Sequence, residues 1–224
     1  MKPWMIGSLC FCMVAVLAAC GQAGTTSDGQ ANRAPGTIAD AAQEPESNGP
    51  EETPSETVQT GDISKTLVAY FSCTGNTVSL AEYVAEITGA DLYEIMPEEP
   101  YTDDDIAYQV SDCRANLEQN DNSCRPEIDG EPVDMQDYDV VFIAFPIWWG
   151  KEPRIIDTFM ESYDFSGKTM IPFCTSGSSG IDTAEKNLHS MTDDTIQWLT
   201  GSRFAAGTSK EDMEEWVNSL EVLE

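Results

Sequence analysis

From about residue 63 onward the chain predicts an α/β fold, a parallel sheet with helices on both faces. Two observations carry this. Short, continuously apolar runs recur, as expected of strands buried on both sides, and amphipathic helical segments lie between them. Such alternation implies right-handed crossovers and a sheet covered twice.

Each element has its own signature. Thr66–Phe71 is the first apolar run. A glycine-containing turn leads into a helix over Thr77–Thr88, with Leu80, Val84 and Ile87 on one face and Gly89 placed to end it. Leu92–Met96 is a second strand, closed by Pro97, and Asp139–Phe145 is the strongest buried run, closed by Pro146. Pro153 opens a helix to about Tyr163 whose apolar face is Ile156, Phe159 and Met160. Lys168–Cys174 is the fourth strand, Gly180–Met191 a helix, and Thr195–Leu199 a weaker fifth strand. Ser209 with Asp212 caps a last helix whose buried stripe is Met213, Trp216, Val217 and Leu220.

Composition narrows the function. The 224 residues hold 11 Lys and Arg against 40 Asp and Glu, a net charge of −29, which repels nucleic acid and anionic lipid headgroups. A hydrophobic share of 41% suffices for one sizeable core. Seven cysteines without a Cys-x-x-Cys pair, and His189 as the only histidine, argue against a zinc centre and a Ser-His-Asp hydrolase.

The first residues read as a targeting segment. Lys2 precedes an apolar run from Met5 to Ala19, the length of a signal-peptide core and short of the roughly 20 residues that span a bilayer. Leu17-Ala18-Ala19-Cys20 resembles the lipobox of bacterial lipoproteins, which implies removal of residues 1–19 and acylation of Cys20; an ordinary signal peptide with an incidental cysteine is the alternative. Either way the mature chain is expected outside the cytoplasm. Residues 20–62 hold no aromatic and many Gly, Pro, Ser, Thr and Glu, the composition of an acidic flexible tether. The domain that follows, residues 63–224, keeps 32 acids and 9 bases, a charge of −23 that serves solvation.

Ligands of parallel sheets bind beyond the carboxyl ends of the strands, so the loops there are the candidate site. After the first strand, Ser72-Cys73-Thr74-Gly75-Asn76-Thr77 runs straight into a helix: uncharged, rich in hydroxyls, and suited to a phosphate at the helix N-terminus. It is not a P-loop, since no lysine follows the glycine. After the third strand comes Pro146-Ile147-Trp148-Trp149-Gly150. Adjacent side chains of an extended segment face opposite ways, so at least one indole is free to cover a planar ligand, unless it plugs the top of the sheet. After the fourth strand, Thr175-Ser176-Gly177-Ser178-Ser179-Gly180 offers small residues whose amides can approach a ligand's polar edge.

These three ordered motifs resemble the flavodoxin family, in particular its short flavodoxin-like members, over about Lys65 to Glu224. The resemblance implies a three-layer, doubly wound sandwich with a five-stranded parallel sheet of order 2-1-3-4-5 that binds flavin mononucleotide (FMN). It places the phosphate on Ser72, Thr74, Asn76 and Thr77 with backbone from Cys73 and Gly75. It places the flavin ring against Trp148 or Trp149, within Pro146 to Gly150, and its rim along Thr175, Ser176, Gly177, Ser179 and Gly180. The long segment Pro97–Tyr138 departs from a compact flavodoxin; Asp104–Gln119 within it is expected to be helical, and Cys113 and Cys124 are expected to form a disulfide. Cys73 and Cys174 are not expected to pair. Lys151 and Arg154 are either cations that offset the acidic field at the ring or solvated surface charges. His189, Trp198 and Trp216 are assigned to structure.

The flavin supplies redox chemistry, so no catalytic acid is required. The expected role is a membrane-tethered electron carrier, anchored only through its N-terminal lipid and exchanging electrons with a redox partner protein or a small-molecule acceptor. The alternatives are an FMN-dependent oxidoreductase of quinones or other small molecules, and a flavin-binding module without turnover.

Overall fold

Thr66–Tyr70 forms strand β1, buried along its whole length, in a computed structural model that describes residues 65–220. Helix α1 (Asn76–Thr88) follows and ends at Gly89, whose φ of 69° is the left-handed cap glycine supplies most readily. Then come β2 (Asp91–Glu94), β3 (Met96–Pro97), α2 (Arg114–Asn120), β4 (Ile128–Asp129), β5 (Val140–Pro146), α3 (Arg154–Ser162), β6 (Thr169–Thr175), α4 (Asp182–Ser190), β7 (Gln197–Trp198), β8 (Ser202–Phe204) and α5 (Lys210–Asn218). The predicted signal segment 1–19, Cys20 and the tether 20–62 lie outside the described residues.

The main sheet is parallel in the order β2-β1-β5-β6-β7, with β8 also beside β6, which is the predicted 2-1-3-4-5 arrangement. Side-chain alternation divides the core between its faces. Leu67, Phe71, Val141, Ile143 and Phe145 pack toward α3 and α4, while Val68, Phe142, Ala144, Ile171 and Phe173 pack toward α1 and α5. Ile156, Phe159 and Met160 are buried as the helical spacing predicts, and so are Met213 and Val217; Trp216 and Leu220 pack half-buried beside them.

Three elements differ from expectation for identifiable reasons. The fifth strand is split. Leu199 N donates to Met170 O at 3.0 Å, so alternate residues of β6, including Pro172, face that neighbour. Pro172 has no N–H to offer there, and pairing resumes only at Phe173 with Ser202. The second strand also divides: β2 ends at Glu94, and β3 turns away to pair antiparallel with β4. In the long connection only α2 is helical. The Asn116 side chain donates to Tyr108 O and Val110 O, drawing residues 108–113 back as irregular turns ahead of the helix.

The expected disulfide is absent: Cys113 and Cys124 are both free thiols. Cys113 precedes α2 and Cys124 follows it, hydrogen-bonded back to Asp121 O. The seven-residue helix α2 stands between them in the chain. Cys73 and Cys174 are also free.

Candidate functional site

The loops after β1, β5 and β6 meet at one edge because their strands are adjacent and parallel. The first is a turn with few internal partners. Gly75, at φ 83°, sits at the N-cap of α1, and no side chain caps the helix. The backbone N–H groups of Ser72, Cys73, Thr74 and Gly75 find no backbone acceptor among the described residues. Ser72 Oγ is buried and likewise without a partner. A buried hydroxyl left unpaired, which is rare, beside four amides free at a helix N-terminus describes an anion cradle. Asn76 Nδ2 donates to Thr74 Oγ1 at 3.1 Å, and buried Thr77 Oγ1 shares a hydrogen bond with Thr175 Oγ1 at 2.8 Å, tying the first loop to the third.

The second loop separates its two indoles. Trp148 packs inward, edge-on to Phe71 at 5.6 Å and Tyr101 at 5.3 Å between ring centroids. Trp148 and Lys151 exchange backbone hydrogen bonds of 2.9 and 3.1 Å across a two-residue turn. Its central residues, Trp149 at φ 50° and Gly150 at φ 80°, are both left-handed, the type I′ geometry. Trp149 is the only non-glycine residue with positive φ among those described, a strain of about 1–2 kcal/mol. The turn leaves Trp149 48% exposed. In the third loop, Ser176 N donates to Phe204 O, while Gly177, Ser179 and Gly180 are exposed, and their amides also lack backbone partners among the described residues.

The long connection supplies residues that sequence reasoning missed. Ile106, Tyr108 and Ala115 join Ile147, Trp148 and Trp149 around a cleft of about 290 Å³ with no charged side chain in its lining. Gln119 Nε2 donates to Trp148 O and Glu152 O, both at 3.0 Å, and so braces the indole turn from outside. The one available signal was the length of the Pro97–Tyr138 segment. Tyr101 donates to Glu118 at 2.5 Å and lies under the Arg114 guanidinium at 4.1 Å; burial and that carboxylate raise its pKa. Burial also pushes the Cys73 thiol up to about 12, so it stays protonated.

Arg154 is not a free cation at the ring. It is 5% exposed, bonded to Asp157 at 2.8 Å, to Asn122 Oδ1 at 2.5 Å and to Gln119 O at 3.4 Å. Its charge is matched inside the protein. Lys151 closes the indole turn through its backbone. His189 rests against Trp198, with ring centroids 4.5 Å apart.

The sequence model of the flavodoxin family matches residues 65–220. No curated protein matches the chain. A candidate flavoprotein from Bacteroides uniformis is 44% identical over 69% of this chain and 98% of its own, with a TM-score of 0.66. Another, from Bacteroides eggerthii, is 40% identical over 71% of this chain and 99% of its own, also with a TM-score of 0.66. A flavoprotein from Lactobacillus acidophilus, solved in complex with FMN, is 23% identical over 70% of this chain and 98% of its own; its TM-score of 0.54 reflects a shared fold. With the family matched over the whole described domain and two solved relatives at 40% identity or more, the chain belongs to the flavodoxin family.

Proposed function

We propose that this protein binds FMN and carries electrons at the outer face of a cell membrane, held there by lipid on Cys20. Family membership supports FMN as the cofactor, as does the FMN of the Lactobacillus acidophilus protein. The single observation that carries the site is Ser72 Oγ, buried without a partner beside the uncapped start of α1. FMN supplies reversible electron transfer when bound, and the chain supplies placement.

In this reading Ser72 Oγ and the amides of Ser72 to Gly75 donate to the phosphate, with Thr74, Asn76 and Thr77 closing around it. Trp149 covers one face of the ring, being the exposed indole, and the free amides of Gly177, Ser179 and Gly180 meet its polar rim. The Leu17–Cys20 motif and the acidic tether support export and anchoring. The electron partner is a redox protein or a small acceptor, and a domain charge of −23 disfavours nucleic acid. The uncharged cleft beside Trp149 favours a second reading, an FMN-dependent oxidoreductase of quinones or other small molecules.

The test is to add FMN to the purified full-length chain and follow the flavin spectrum. One-to-one binding with quenched fluorescence is expected, and a colourless protein overturns the reading. A long-lived one-electron-reduced state on photoreduction selects the carrier; direct oxidation of a nicotinamide selects the enzyme.

A further inference from the structure

Behind the indole turn lies a pair of carboxyl groups that the flavin site does not use. Glu152, the second residue after Gly150, is 1% exposed, and Asp157 in the first turn of α3 is 3% exposed. Arg154 Nη1 donates to Asp157 Oδ2 at 2.8 Å, and Arg125 Nη1 lies 3.6 Å from the same oxygen. Asp157 Oδ1 is buried with no partner. Asn187 of α4 donates to the Glu152 carboxyl at 2.9 and 3.1 Å, so its single amide group serves both oxygens.

Both arginines sit on Asp157, so Glu152 is a buried carboxyl with no cation of its own, and ionising it beside the Asp157 carboxylate is costly. A proton resolves both difficulties at once: on Glu152 it removes one charge and supplies the donor that Asp157 Oδ1 lacks. We propose that Glu152 holds a proton, donates it to Asp157 Oδ1, and through that bond fastens the indole turn to α3 and α4. Burial, together with the Asp157 carboxylate, raises the Glu152 pKa to about 7. The pair borders a polar cavity of about 380 Å³, through which the proton exchanges with water.

The other charges facing that cavity are Lys151, Arg154 and Arg125, while α4 and the residue after it bring only the neutral Thr183, Asn187, Ser190 and Met191. Gln119 of α2, also neutral, ties Glu152 O to Trp148 O. Loss of the proton therefore sets two buried anions together at the base of the turn that presents Trp149. Glu152 is a positioning residue: it acts on the ring site through the turn. Flavin binding should tighten as pH falls.

The experiment compares the wild-type protein with Glu152→Gln, which keeps a neutral donor at every pH. The first readout is infrared. A protonated carboxyl C=O band is expected in wild type below about pH 7, lost as pH rises and absent from E152Q. The second is thermal unfolding without flavin. The unfolded chain releases this proton near the ordinary glutamate range of about 4.5 and the folded chain only near 7, so wild type loses stability between these pH values and stays level above them. The two proteins should melt together at low pH, and E152Q should melt higher above about pH 7.

The third readout is FMN affinity, the only arm that rests on the proposed function. The wild-type to E152Q affinity ratio should fall roughly fivefold or more from about pH 6 to pH 8.5, the size of an ordinary coupling between sites, and FMN's own ionisation cancels in that ratio. A missing carboxyl band, or a melting difference constant with pH, overturns the shared proton. A band and a melting shift with a constant affinity ratio overturn the link to the turn. Failure of both proteins to bind FMN at any pH overturns the flavin reading, and the first two readouts still decide the proton.

Discussion

Replacing Ser72 by alanine should move stability and binding in opposite directions. In the free protein Ser72 Oγ is buried without a partner, a desolvation cost of about 1–3 kcal/mol. Alanine removes that atom and leaves a void of one oxygen, so the net gain is near the lower end, about 1 kcal/mol. For a domain of this size that raises the melting temperature by roughly 2–4 °C. In the complex the same hydroxyl donates to a charged phosphate, a bond worth about 1.5–3 kcal/mol, so FMN affinity should fall about 10- to 150-fold. Riboflavin, which has no phosphate, should bind both proteins alike. Calorimetric unfolding and parallel fluorescence titrations with the two flavins give all three numbers. A destabilised S72A protein, or equal losses for FMN and riboflavin, would refute the assignment of this turn to the phosphate.

Three further outcomes follow from the geometry. Trp149→Gly should keep the turn folded, because glycine adopts its left-handed conformation without strain, while flavin binding loses a stacking contact of about 0.5–1.5 kcal/mol; unfolding and titration check both. Arg154→Ala should cost about 3–5 kcal/mol in denaturant unfolding, since Asp157 is left buried without its closest cation, whereas a solvated surface arginine would cost almost nothing. A thiol reductant should leave the melting temperature unchanged, and mass spectrometry of the unfolded chain after alkylation without reductant should find Cys113 and Cys124 both modified.

How much of this was legible depended on whether the cause was local. β1, β5 and β6 were readable because strands buried on both faces must be apolar at successive positions, and α3 and α5 because their buried stripes repeat at helical spacing. The phosphate turn was readable because hydroxyls and a glycine directly precede a helix. What was hidden depends on neighbours distant in the chain. The split of the last strand is caused by Pro172, a missing donor in the adjacent strand. Alternation predicted that the two indoles separate, but which one faces outward is set by a turn braced by Gln119, 29 residues away from Trp148. Arg154 reads as a cation near the ring from its position after the Trp loop, yet Asp157 and Asn122 close around it. Composition marks Cys113 and Cys124 as bridge candidates, but the folded chain holds both as free thiols.

The unpartnered amides opening α1 are the proposed holders of the FMN phosphate. Their resonances, Ser72 to Thr77, can be followed by NMR as FMN is added to the full-length protein. At one equivalent of FMN these signals should shift and become protected from exchange, along with the indole N–H of Trp149. If the flavin binds while those amides neither move nor gain protection, the phosphate lies elsewhere.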